Sequence, residues 1–247
     1  MQIIFDRIRL SGIDQLFLLK MDRSGIILVL MRQKDLKAPF SWKTRKPAWE
    51  PPVLYVPEYY AHHTDFSVPP LFKREAPVWI EYCSGNGDWI ADRAKRFPDI
   101  NWIAVEKRFD RVRKIWQKQQ LQKLDNLVVV SGEALPFSQY YVQEGSIAGC
   151  FVNFPDPWPK GRHAKHRLFQ TDFLEALERI LLPGAKITIA TDDWVFVDEI
   201  IQQCSCRFES CLDAPYFVAE WPEYGSSFFE QLWRAKGKEI FYLQFCK

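Results

Sequence analysis

The feature that most restricts what this chain can fold into begins at Pro77, where short apolar runs start to alternate with longer amphipathic segments. Strand-like runs occupy 78–83, 102–105, 127–130, 147–153 and 186–190, while helical patterning occupies 88–97, 109–124 and 168–182. Pro98 stops the first helix and Pro183-Gly184 closes the third. Alternation at this spacing predicts an α/β domain with a doubly wound, mostly parallel sheet covered by helices on both faces. Two later strand-like stretches, 206–217 and 239–245, have only a short helix between them and predict an antiparallel hairpin at the sheet edge.

Ahead of the alternation, residues 1–30 show no clear helical or strand period and read as an N-terminal extension of unknown role. Met31 offers an alternative translation start. Residues 31–70 read as an arm followed by a connector. The arm, 32–46, carries Arg32, Lys34, Lys37, Lys43, Arg45 and Lys46 against the single acid Asp35, with Phe40 and Trp42 between them. Basic and aromatic interleaving suits an RNA contact, and it equally suits a solvated tail. The proline-studded stretch 47–70 predicts an extended connector. Residues 71–247 form the main domain, which at this length holds one sizeable core.

The net charge of +2 over 247 residues means that affinity for nucleic acid has to come from local clusters. The apolar stretch 26–31 is too short to span a bilayer, so neither membrane anchoring nor export is expected and a cytoplasmic protein is. The six cysteines lack paired C-x-x-C spacing and read as reduced thiols. Cys204, Cys206 and Cys211 have no nearby histidine, so no metal is expected there.

In an open doubly wound sheet a ligand sits beyond the carboxyl ends of the strands, next to the first one. The sequence places Ser84-Gly85-Asn86-Gly87 at that point, with Gly85 and Gly87 free to turn sharply under a ligand. Three acids stand with it: Glu81 in the first strand, Glu106 after the second and Glu133 after the third. A carboxylate after the second strand accepts ribose hydroxyls, and one after the third meets an adenine amine. A dinucleotide is disfavoured, because the third glycine of G-x-G-x-x-G falls on Ile90.

The stretch after the fourth strand, N-F-P-D-P-W-P-K-G-R-H-A-K-H-R at 153–167, resembles the F-P-D-P-W-x-K-x-R-H-x-K-R-R signature of the bacterial tRNA (guanine-N7)-methyltransferases. The resemblance covers roughly residues 77–246. V-W-I-E-Y-C-S-G-N-G looks like that family's first strand and cofactor loop, Ala190-Thr191-Asp192 like its A-T-D turn, and Ser227-Phe228-Phe229-Glu230 like its T-x-x-E element with Ser for Thr. It implies a class I S-adenosylmethionine-dependent methyltransferase fold, Rossmann-like with an antiparallel C-terminal hairpin. The cofactor is then S-adenosyl-L-methionine, held by Glu81, Gly85, Gly87, Glu106, Glu133 and Asp156. By the same resemblance the substrate is tRNA, at guanosine 46 of the variable loop. Asp156 sits at the reaction centre, and Lys160, Asp192, Ser227 and Glu230 face the substrate.

The residue types suit that chemistry. Guanine N7 presents a lone pair, so alignment and exclusion of water are the main tasks. The base becomes cationic as it is methylated, and a carboxylate such as Asp156 stabilises the developing charge. Asp192 and Glu230 are candidates to accept from the N1 and N2 donors of guanine. The prolines at 155, 157 and 159 restrict the loop around Asp156.

Lys160, Arg162, Lys165 and Arg167, with His163 and His166, form a run without an acid that is suited to RNA phosphates. A second basic run, 107–123, extends the track if its outward face is free. Cys83 stands where the family usually has the first glycine of its loop, and Gly161 and His166 replace residues that are usually basic. Two other functions are consistent with these residues: a methyltransferase with another acceptor, and a non-catalytic tRNA-binding protein. Monomer and homodimer both remain open.

Overall fold

The computed structural model describes residues 4–10, 13–22, 25–30, 32–158 and 160–247. The N-terminal extension contains an antiparallel meander of β1 (Ile4–Leu10), β2 (Ile13–Asp22) and β3 (Gly25–Leu30), in the order β1-β2-β3. Its strands escaped the sequence reading because runs such as I-I-L-V-L give no alternation of apolar and polar residues.

Among the described residues a second sheet has nine strands. They are β4 (Ala48–Glu50), β5 (Val53–Tyr55), β6 (Val78–Tyr82), β7 (Asn101–Glu106), β8 (Leu127–Ser131), β9 (Ile147–Asn153), β10 (Leu181–Thr191), β11 (Glu209–Ser210) and β12 (Phe241–Cys246). Their spatial order is β11-β12-β10-β9-β6-β7-β8-β5-β4. The strands from β10 across to β5 are parallel, and the antiparallel partners β12 and β4 flank them. The helices are α1 (Asp88–Arg96), α2 (Phe109–Gln122), α3 (Ala134–Tyr140), α4 (Thr171–Ile180), α5 (Trp194–Cys204) and α6 (Phe228–Ala235).

Alternate strand residues feed two apolar layers. Ile80, Tyr82, Ile103 and Val105 pack with Phe137, Phe173, Leu177 and Phe196 of α3, α4 and α5. Ala104 and Val129 pack with Trp89, Ile90, Val112 and Ile115 of α1 and α2. The parallel strands are therefore buried on both faces, which is why each reads as a continuous apolar run.

Three expectations need correction. The proline-studded connector is in part sheet: Val53, Leu54, Tyr55 and Val56 are buried, and β5 pairs in parallel with β8. A three-residue strand between prolines is too short for pattern reading. The third helix ends at Ile180 rather than 182, and β10 runs through Pro183-Gly184, where its register with β9 shifts between Leu181 and Lys186. That irregularity accommodates a proline that has no N–H to donate. The strand expected over 206–217 shrinks to β11, because Ser205 caps α5 and Pro215 interrupts the ladder farther on. The antiparallel edge formed by β11, β12 and β10 is present as expected.

Candidate active site

The carboxyl ends of β7, β8, β9 and β10 open onto one cleft of about 640 Å³, whose walls include Glu106, Glu133, Asp156 and Asp192. A small recess beside it is lined by Glu81, Gly87, Asn153 and Ser227. Cys83, Phe154 and Phe229 border both spaces.

The loop between β6 and α1 depends on residues with left-handed backbone. Cys83 has φ +60, Gly85 +55 and Gly87 +76. For a cysteine this conformation costs about 1–2 kcal/mol, so the chain adopts the turn that a glycine would take and bears the strain. A Cβ on Gly85 would lie 2.7 Å from the Phe229 ring, and one on Gly87 would lie 2.7 Å from Ile115 Cγ1. Both positions are closed to larger residues. Burial pushes the Cys83 thiol far up, and the carboxylates of Glu106 and Asp156 add to the effect, so it stands as a neutral thiol.

Glu81 is buried, and its Oε1 accepts from Asn153 Nδ2 at 2.7 Å. Glu81 Oε2 and Asn153 Oδ1 have no partner among the described residues. Burial pushes the Glu81 carboxyl up to about 7. Two orphaned acceptors in one recess call for a ligand that brings donors and positive charge, as an ammonium does. Glu106 is different: its Oε2 accepts from the Gly85 amide at 2.8 Å and its Oε1 from the Arg108 amide at 2.8 Å, with Arg111 at 3.8 Å. Burial raises its carboxyl while these donors oppose the shift. Glu106 thus ties the glycine loop to the start of α2. Glu133 caps α3 at the cleft mouth without turning its side chain onto the helix, and partial burial together with the neighbouring Glu58 carboxylate raises its carboxyl.

Asp156 is exposed on a loop bent at both ends, with φ +50 at Phe154 and +43 at Trp158. Arg167 holds this loop, donating to the Pro157 carbonyl at 2.8 Å and the Trp158 carbonyl at 3.1 Å while pairing with Glu199 of α5. Expected from the sequence as an RNA contact, Arg167 here braces the loop. Lys160, Arg162, Lys165 and His166 are exposed and make no ion pair among the described residues. Lys165 and His166 border the cleft, whereas Lys160, Arg162 and His163 stand outside its walls. The rings of His163 and His166 pack near Trp158, at 5.7 and 5.4 Å.

The opposite wall contains Asp192, which pairs with Lys238. Ser227 and Glu230 form a reciprocal cap on α6, with the Glu230 amide 3.1 Å from Ser227 Oγ and the Ser227 amide 3.3 Å from Glu230 Oε2. Glu230 Oε1 also accepts from Tyr242 at 2.8 Å and from Arg234 at 3.2 Å. Glu230, expected to face the substrate, borders neither space, and its carboxylate braces α6. In the second basic run Lys107, Arg108 and Lys123 are exposed, while Arg111, Arg113, Lys114 and Lys118 are half-buried. Lys114 and Lys118 bond Asn86 at 3.1 and 2.8 Å, Lys118 pairs with Asp88, Arg108 pairs with Asp110, and Arg113 donates to the Leu36 carbonyl.

Sequence reasoning passed over Asn153, Arg111, Phe229, Trp233 and Lys238. Asn153 was findable, as a polar residue closing an apolar strand just as Glu106 does. The other four reach the site only through tertiary packing.

The parallel sheet, its glycine loop and the row of strand-end acids define an α/β enzyme of the methyltransferase type. Over residues 75–243 the chain matches a family model described as a putative methyltransferase. The crystal structure of the 16S rRNA methyltransferase KamB has the same fold, with a TM-score of 0.52, 16% identity and coverage of 69% of this chain and 87% of that one. A tRNA (guanine-N(7)-)-methyltransferase of Chlamydia muridarum (strain MoPn / Nigg) is 47% identical over 220 residues, covering 88% of this chain and 98% of that protein. Its counterpart in Chlamydia abortus (strain DSM 27085 / S26/3) matches at the same identity and coverage. The chain belongs to the tRNA (guanine-N7)-methyltransferase family.

Proposed function

We propose that this protein transfers the methyl group of S-adenosyl-L-methionine to N7 of a guanine in tRNA, at position 46 of the variable loop as the family resemblance implies, and does so in the cytoplasm. The observation that carries the reading is the placement of an exposed, braced Asp156 on the rim of a cleft whose floor is a row of strand-end carboxylates. Among the described residues no helix is long and apolar enough to cross a membrane.

The donor set suits the cofactor. Glu81 Oε2 and Asn153 Oδ1 would take its ammonium, Glu106 its ribose hydroxyls and Glu133 its adenine amine. When bound, the cofactor would supply an electrophilic methyl for the N7 lone pair, its sulfur keeping the electron pair of the broken C–S bond. No proton has to leave the base beforehand, so the protein's work is alignment and charge stabilisation. Asp156 faces the positive charge that develops on the guanine ring. Asp192 accepts from the N1 and N2 donors once Lys238 yields it. Lys160, Arg162 and Lys165 take phosphates beside the cleft mouth. A regular RNA duplex hides N7 in a deep, narrow groove, so the target base lies in a loop or is splayed out.

The test is transfer of label from methyl-labelled S-adenosyl-L-methionine to an unmodified tRNA transcript. A second transcript carries adenosine at the target position, and an Asp156→Ala enzyme runs beside the native one. Label mapped to guanine N7, and confined to the intact transcript with native enzyme, is the expected result. Cofactor binding without transfer to any tRNA would overturn the reading in favour of another acceptor.

A further inference from the structure

The basic and aromatic arm is ordered, and its shape goes beyond what the methyl-transfer cleft requires. It lies along α2: Gln33 bonds Gln117, Arg113 holds the Leu36 carbonyl, and Tyr55 of β5 donates to the Lys37 carbonyl at 3.1 Å. Trp42 and Tyr59 are nevertheless 66% and 82% exposed, the most exposed aromatic side chains among the described residues. An indole and a phenol ring left in water on an otherwise docked segment need an explanation.

The two rings are held in place. The Arg45 guanidinium lies 3.9 Å from the centre of the Trp42 ring and donates to the Trp42 carbonyl at 2.9 Å and the Tyr59 carbonyl at 3.1 Å. The rings stand 6.4 Å apart at 67°. Arg45 covers one face of the indole, and the exposure belongs to the rest of the ring. Next to them in the chain Lys43 and Lys46 are exposed, as are Lys34 and Lys37 farther along the arm, and none of the four makes an ion pair among the described residues, while Asp35 is neutralised by Arg32. A flat apolar face backed by a cation, with exposed Lys43 and Lys46 beside it in the chain, is complementary to a base with its phosphates. The cluster also adjoins the cleft in the chain, because Glu58, next to Tyr59, reaches Glu133 at the cleft mouth.

We infer that Trp42 and Tyr59 form a second RNA-contact site, stacking an unpaired base of the same tRNA whose guanine enters the cleft, with Lys43 and Lys46 on the adjoining phosphates. This inference rests on the tRNA reading above. It assigns to the arm a binding role separate from catalysis, so its loss weakens tRNA affinity and leaves the chemical step alone.

The test uses the full chain with Trp42→Ala, Trp42→Phe, Tyr59→Ala and Lys43→Gln/Lys46→Gln. Native enzyme and variants are compared by steady-state methylation of a tRNA transcript, by equilibrium tRNA binding across a salt series, and by sedimentation. The expected result is a KM for tRNA raised about tenfold in each alanine variant with kcat unchanged. Trp42→Phe should stay near native, and the double lysine variant should have a shallower salt dependence of binding. Tyr59→Ala carries the test even if Trp42→Ala disturbs the arm, since Tyr59 is the more exposed ring. Unchanged KM in both alanine variants of an active enzyme would overturn the inference. So would a change in sedimentation alone, which would assign the patch to protein association. If the native enzyme methylates no tRNA, the parent reading falls by itself, and tRNA binding by the same variants decides the arm: weakened binding supports the site and unchanged binding overturns it.

Discussion

Residues 107–123 and 160–167 carry basic side chains at similar density, yet the fold disposes them in opposite ways. In the first run Lys114 and Lys118 clamp the glycine loop through Asn86, Arg111 approaches Glu106, and Arg113 ties down the arm. In the second run Lys160, Arg162 and Lys165 meet no acid among the described residues and remain in solvent beside the cleft. A run of positive charge in a sequence therefore says little until its partners are known. The first run shapes the glycine loop, and the second leaves its charge in solvent.

The sharpest test of this contrast is Arg167, which sits in the second run and behaves like the first. Removing its two carbonyl anchors by Arg167→Gln frees the loop that carries Asp156. A misplacement of about 1 Å costs on the order of a hundredfold in rate, so kcat should fall by about that factor while cofactor affinity, read by calorimetry, stays unchanged. A rise in KM for tRNA at constant kcat would return Arg167 to the phosphate-binding group. Next in size is the triple change Lys160→Gln, Arg162→Gln and Lys165→Gln. Each lost phosphate contact lowers the slope of log affinity against log salt by about 1. The expected slope is thus shallower by about 3, together with weaker binding at low salt.

A third prediction concerns pH. With its carboxyl at about 7, Glu81 is substantially protonated in the ligand-free protein near neutrality. Its folded-state value lies above the unfolded one, so the stability it contributes is full below about 4.5 and is lost as pH rises through about 7. Cofactor binding has the opposite sign, because an ammonium needs the carboxylate. Affinity should drop about fivefold between pH 7 and pH 6, and calorimetry on Glu81→Gln should show that dependence gone. The smallest effect belongs to Lys118→Gln. Its loss from the glycine loop should cost about 1 kcal/mol of stability, seen as a lower Tm, with no change in the salt dependence of tRNA binding. A change in that dependence would erase the distinction between the two runs.

Much of this was legible in advance, for identifiable reasons. Strands buried on both faces leave continuous apolar runs, so β6 to β9 and the acids Glu81, Glu106 and Glu133 followed from pattern alone. The unusual 153–167 segment pointed to the chemistry. The hidden parts depend on distant partners. Three residues of β5 make a strand only because β8 offers an edge. Glu230 resembles a base-reading acid until Tyr242, Arg234 and the Ser227 amide occupy its oxygens. Arg167 looks like its basic neighbours until Glu199 and two carbonyls claim it. No local pattern encodes those pairings.

The placement of β5 beyond β8 also bears on how the protein is made. On the ribosome the arm and β5 emerge early, but the sheet edge that β5 joins does not exist until β6, β7 and β8 have been translated and have paired. The nascent arm must wait in the open, its apolar Val53-Leu54-Tyr55-Val56 unburied, until β8 supplies the edge. Docking of the arm thus follows completion of the central strands.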